Sequence, residues 1–87
     1  MTNDVHVTMR YYAGASAAAG LDEERVTMPA GSTVADALAA ARERLGPALA
    51  RTLAASSVLL DGVHQHAGDA PLAADMPLAV LPPFAGG

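Results

Sequence analysis

Residues 31–47, GSTVADALAAARERLGP, decide the fold class. Val34, Leu38, Ala41 and Leu45 recur at the 3.6-residue spacing of an α-helix and make one apolar stripe. Ser32 or Thr33 can cap the first free N–H groups, and Asp36 falls in the first turn, where the helix dipole favours a negative charge. With Thr33 as cap, Asp36 lands at the third helical position, as a capping box requires; with Ser32 it comes one place late. Gly46 and Pro47 stand in the order of a left-handed cap followed by a stop. A helix with one apolar stripe needs a surface to cover, and the sequence on either side supplies a sheet.

Upstream, VHVTMRYY (5–12) alternates, with Val5, Val7, Met9 and Tyr11 on one face and His6, Thr8, Arg10 and Tyr12 on the other. AGASAAAGL (13–21) reads as a loop or a loose turn of helix. ERVTM (24–28) is a second alternating run with Val26 and Met28 inward, closed by Pro29-Ala30-Gly31. Downstream, ALARTLAA (48–55) suits a further short helix. SVLLDGVHQH (57–66) reads as a strand, a tight Asp-Gly turn and a short edge strand. AGDAPLAAD (67–75) is loop, and PLAVL (77–81) is a last strand that Pro82-Pro83 must end, since neither proline can donate to a ladder. Strand, strand, helix, strands is the pattern of an α+β domain, with one main helix packed across one face of a small sheet. The expected division is a domain over 1–81 and a flexible tail over 82–87.

A chain of 87 residues builds a single core. With Tyr11, Tyr12 and Phe84 as its aromatic residues, that core must come from Val, Leu and Met. No apolar run approaches the ~20 residues of a membrane span, and MTNDVHV lacks a signal segment, so a cytoplasmic protein is expected. The absence of cysteine agrees with that setting. Net charge is −4, with five Arg and no Lys. An acidic chain without a basic stripe is a poor nucleic-acid binder.

The remaining chemistry is narrowed by the same absences. A phosphate-cradling GxxxxGK[ST] loop is excluded for want of Lys, and Gly14 with Gly20 fits no dinucleotide fingerprint. Ser56-Ser57 has no evident base beside it. Two imidazoles at His64 and His66 could face one ion, but a third ligand is missing and Asp69 is only loosely spaced, so an exposed polar edge strand is expected and no metal site. Arg42, Arg44 and Arg51 read as a solvated helix face.

What stands out is PPFAGG, residues 82–87. Two prolines stiffen the exit from the last strand, whereas Gly86-Gly87 carry no side chain. Six extended residues reach roughly 20 Å. Such a segment can enter a narrow slot in another protein and present its carboxylate there, and no thiol exists in the chain to carry a transferable group instead.

With these features the sequence resembles the MoaD/ThiS family of ubiquitin-like β-grasp sulfur carriers, nearest to the small subunits of molybdopterin synthase. The resemblance runs over YYA (11–13), PAGSTVADAL (29–38), APL (70–72) and PPFAGG (82–87), the last being the specific part. It implies a ubiquitin-like β-grasp fold with a mixed sheet, and a protein that is not an enzyme on its own. A ubiquitin-activating-type adenylyltransferase would join the Gly87 carboxylate to AMP, consuming ATP with Mg. A sulfur donor would then displace AMP to leave a thiocarboxylate. The molybdopterin synthase large subunit would take the sulfur for the dithiolene of the molybdenum cofactor. Gly87 would be the reactive residue and Gly86 would keep its passage slim. Pro82, Pro83, Phe84 and Ala85 would guide the tail, and Tyr12 with Leu81 would form an apolar docking patch. Related carriers serve thiamin thiazole or cysteine synthesis, and a ubiquitin-like protein modifier shares the same ending. The chain departs from the family pattern at Ser16-Ala17, where an Arg-Glu pair is common, and at Ala74-Asp75-Met76, in place of Asp-Gly-Asp. Both departures bear on which partner is recognised.

Overall fold

A computed structural model describes residues 4–82. Among these residues the chain forms β1 (Asp4–Tyr11), α1 (Gly14–Ala19), β2 (Glu23–Pro29), α2 (Val34–Leu45), α3 (Pro47–Ala55), β3 (Ser57–Leu60), β4 (Val63–His64) and β5 (Pro77–Leu81). The sheet order is β2-β1-β5-β3-β4. β1 and β5 run parallel, and the other neighbours are antiparallel. This is the expected mixed sheet, with the final strand inserted at its centre.

Alternation sets the two faces. Val7, Met9 and Tyr11 of β1, Val58 and Leu60 of β3, and Leu78 and Val80 of β5 are all buried, so the inward faces of three adjacent strands make one surface. Val34, Ala37 and Ala41 of α2 and Leu49 and Leu53 of α3 cover that surface. The buried residues of α2 thus centre on two alanines, while Leu38 and Leu45 of the expected stripe flank the core half-buried.

Thr33 is the cap of α2. Its side chain accepts from the Asp36 N–H at 3.3 Å, and the Asp36 carboxylate accepts from the Thr33 N–H at 2.9 Å. The intervening N–H groups of Val34 and Ala35 donate to the carbonyls of Ala70 and Gly68 at 3.0 and 2.8 Å. All four donors that a helix start leaves free are thereby satisfied, two of them by the 65–76 connection. That connection is no loose strap: Leu72 is buried, and Thr33 and Pro71 form an isolated bridge.

α2 ends at Gly46-Pro47 as expected, with the Gly46 N–H donating to the Arg42 carbonyl. Gly46 has a positive φ of 96°, but its ψ of −177° is not that of an αL cap, and Pro47 is also the first residue of α3. Proline tolerates that position because its missing N–H would be unpaired there anyway. AGASAAAGL contains a six-residue helix, α1, closed by left-handed Gly20 and burying Ala15. The Asp61-Gly62 turn is as expected, with both residues at positive φ, as a two-residue hairpin of this hand requires.

Candidate functional site: the root of the tail and the open face of the sheet

β5 is gripped on both sides. Along β1 its register runs from Thr8 opposite Pro77 to Tyr11 opposite Val80, and along β3 Ser57 faces Leu81. The Tyr12 N–H extends the first ladder by donating to the Val80 carbonyl at 3.2 Å. The chain is therefore held until Leu81, and Pro82, without an N–H, ends the pairing. Pro82 is half-buried and is the last described residue. The expected guides Pro83, Phe84 and Ala85 and the expected reactive pair Gly86 and Gly87 lie outside the described residues.

The same alternation that buries Leu78 and Val80 turns Ala79 and Leu81 toward the helix-free face. Leu59 of β3 stands opposite Ala79 on that face. Tyr12, one residue beyond β1, is 42% exposed and is hydrogen-bonded to the strand that carries Leu81. The two residues expected in a docking patch are thus brought to the same end of the sheet, beside the root of the tail.

Next to Tyr12 lies an open depression of about 570 Å³, lined by residues that include Arg10, Ala13, Ser16, Asp22 and Glu23. Arg10 pairs with Glu23 at 3.5 Å, both side chains being more than half exposed. The Ser16 hydroxyl donates to the Asp22 carboxylate, so at this departure from the family pattern a local hydrogen bond stands where a charged pair is common. At the other departure, Asp75 has φ 62°. This is the place of the glycine in Asp-Gly-Asp, and Asp is among the few residues that tolerate such a backbone.

Below the face, the Tyr11 side chain is buried with its hydroxyl. Its hydroxyl donates to the Glu24 carboxylate at 2.7 Å, and Arg44 donates to the same carboxylate at 2.6 Å. Burial, and next the adjoining Glu24 carboxylate, push the Tyr11 hydroxyl well above its ordinary range, and the hydrogen bond to Glu24 raises the Arg44 guanidinium. Arg44 therefore is not merely solvated: it links α2 to β2, and through Glu24 to β1. No sequence spacing points to this, because Glu24 and Arg44 are joined only by the fold.

Of the expected edge features, β4 is indeed the outermost strand, and Val63, His64 and His66 are exposed. Among the described residues no group of three or more His, Cys, Asp or Glu is placed to hold a metal ion. None of the described helices is long and apolar enough to cross a membrane.

The family model of the ThiS family matches residues 9–87, which takes in both the β5 platform and the Gly-Gly motif. The chain belongs to the ThiS family. Its fold is the ubiquitin-like β-grasp of that family, as the resemblance implies. It is similar to small archaeal modifier protein 1 (SAMP1) of Haloferax volcanii, with 30% identity and a TM-score of 0.82 over 94% of this chain and 99% of that one. It is also similar to a putative molybdopterin converting factor, subunit 1, from Pyrococcus furiosus, with 22% identity and a TM-score of 0.77 over 92% of this chain and 99% of that one. The SAMP1 of Methanosarcina acetivorans gives 20% identity and a TM-score of 0.80 over 98% of this chain and 99% of that one. The latter two likenesses speak to the fold alone. No curated protein matches the chain.

Proposed function

We propose that this ThiS-family protein is a sulfur carrier whose reactive group is the Gly87 carboxylate, and that it supplies sulfur for the dithiolene of molybdopterin. The observation that carries the reading is the family match through Gly87, in a chain whose last strand is held by two ladders as far as Leu81. The chemistry follows from the residues. A carboxylate is a poor electrophile and is ionised at neutral pH, with a reference pKa of about 3.5. A ubiquitin-activating-type adenylyltransferase removes that obstacle: the carboxylate oxygen attacks the α-phosphorus of Mg-bound ATP, and pyrophosphate leaves. Hydrosulfide from a sulfur donor then attacks the acyl adenylate, AMP leaves, and Gly87 ends as a thiocarboxylate. Without cysteine the chain offers no persulfide alternative. In the large subunit of molybdopterin synthase the thiocarboxylate sulfur attacks a carbon of the pterin precursor and displaces its oxygen substituent, hydrolysis of the resulting thioester restores the carboxylate, and a second carrier brings the second sulfur of the dithiolene.

In this reading the protein performs no catalysis itself. Tyr12 and Leu81 give partners an apolar foothold, and Pro82 to Ala85 guide the tail. Gly86 and Gly87 admit it to a slot that side chains would block. The setting is cytoplasmic, where ATP and the partner enzymes meet.

A second reading is favoured by the modifier from H. volcanii, 30% identical to this chain. There the activated Gly87 carbonyl is joined to a target amine, and the absence of Lys means that no chain can grow on this protein's own side chains. The two readings separate in one reconstitution. Thiocarboxylated protein is mixed with a molybdopterin synthase large subunit and the pterin precursor, and the pterin product is measured. Dithiolene formation with stoichiometric loss of protein-bound sulfur is expected. No transfer, together with covalent adducts on partner lysines, would replace the carrier reading with the modifier one.

A further inference from the structure

The three histidines occupy different situations. His6 on β1 is engaged across the ladder, its Nδ1 lying 2.9 Å from the Thr27 hydroxyl. His64 and His66 bracket the outer end of β4 and are both exposed. His64 Nδ1 and His66 Nε2 are 3.2 Å apart, with ring centroids 4.2 Å apart and the rings nearly perpendicular at 81°. Two ring nitrogens at that distance either share one proton or turn two lone pairs on one cation. A tetrahedral zinc ion with Zn–N bonds of about 2.0–2.1 Å sets neighbouring donors about 3.3–3.4 Å apart. The observed spacing is close to that value.

The backbone that carries the pair is fixed. The Asp61-Gly62 turn begins β4, and the Gln65 N–H between the two histidines donates to the Val58 carbonyl at 2.8 Å. The Gln65 side chain returns to the Val63 carbonyl at 2.9 Å. Two imidazoles on a fixed segment need little ordering to bind an ion. They supply only half of a tetrahedral set, and no third ligand joins them among the described residues. The pair also lies on the last strand of the sheet order, where another molecule can approach.

We propose that His64 and His66 are a two-imidazole chelate for a zinc-class divalent ion, and that a second copy of this chain completes the site with its own pair. Four imidazole nitrogens from two chains related by a two-fold axis meet the ion's coordination number, and a two-fold contact is self-complementary by construction. This site lies on the edge strand farthest from β2 and does not depend on the carrier reading.

The test uses untagged full-length protein with zinc chloride as the probe, followed by calorimetry and sedimentation velocity. Expected are one zinc per pair of chains and a doubling of the sedimenting mass that a chelator reverses. His64→Ala and His66→Ala should each lose zinc binding and pairing while keeping the circular dichroism spectrum, whereas His6→Ala should retain both. Undiminished zinc binding in either edge variant would overturn the site. Zinc bound by single chains, with no change in sedimenting mass, would overturn its completion by a second copy.

Discussion

Replacing Glu24 by Ala removes one carboxylate from two partners, and the structure says how the cost divides. Tyr11 is only 3% exposed, so its hydroxyl cannot recover a full water bond once Glu24 is gone. The Met9 sulfur, 3.6 Å away, is a weak substitute. An unsatisfied buried hydroxyl costs about 1–3 kcal/mol. The Arg44–Glu24 pair adds less, because 40% of the Arg44 side chain and 19% of that of Glu24 are exposed and solvent screens it; such pairs contribute about 0–1 kcal/mol. Together Glu24→Ala should cost about 1–4 kcal/mol. Tyr11→Phe leaves Glu24 paired with Arg44 and should cost about 1 kcal/mol. In the Glu24→Ala background the same Tyr11→Phe change deletes the orphaned hydroxyl and should be neutral or stabilising. Urea titrations read this as shifts in midpoint at constant slope. If Tyr11→Phe costs the same in both backgrounds, the three side chains are not coupled and the reasoning fails.

Four further outcomes are expected. The raised Tyr11 hydroxyl stays neutral in the folded chain where an unfolded tyrosine, with a reference pKa of about 10, would ionise. Its stabilisation is therefore complete below about pH 10 and is lost as pH rises beyond that, so wild type should lose stability faster than Tyr11→Phe in alkaline urea titrations. Thr33→Ala should cost about 1 kcal/mol in thermal or urea unfolding by removing the acceptor of the Asp36 N–H. Gly46→Ala should cost about 1–3 kcal/mol from backbone strain alone, since a Cβ there would meet nothing within 4 Å but φ is 96°. Tyr12→Ala should change unfolding free energy by less than about 1 kcal/mol yet slow partner-dependent adenylation several-fold in a pyrophosphate-release assay. An unchanged rate would take Tyr12 out of the docking face.

The parts of the fold legible in the sequence are those with a local period. The inward positions Val7, Met9 and Tyr11 follow from alternation in VHVTMRYY, and the Asp61-Gly62 hairpin from its turn residues. The parallel pairing of β1 with β5 has no local signal, since the partners are separated by almost the whole domain. Gly46-Pro47 is ambiguous in principle: a glycine followed by proline suits the end of one helix and the start of another. Here it does both, ending α2 and opening α3, whose Leu49 and Leu53 are buried. Of the α2 stripe read from the spacing, Val34 and Ala41 are fully buried, while Leu38 and Leu45 lie half-buried at the margin of the core. Arg44 looks like surface charge until β2 brings Glu24 beneath it. As for the site, PLAVL followed by two prolines locates the end of the last strand at Leu81, and Tyr12 reaches the same end of the sheet through its bond to Val80.

The central claim concerns Gly87, and intact-mass spectrometry examines it with least inference. The protein is incubated with an activating enzyme of the ubiquitin type, Mg-ATP and a sulfur donor, beside a known carrier that proves the enzyme active. The expected result is a mass increase equal to sulfur replacing one oxygen, located in the fragment that ends at Gly87 and missing when Gly87 is deleted from a chain that still unfolds normally. An unaltered mass while the control carrier is converted would contradict the account.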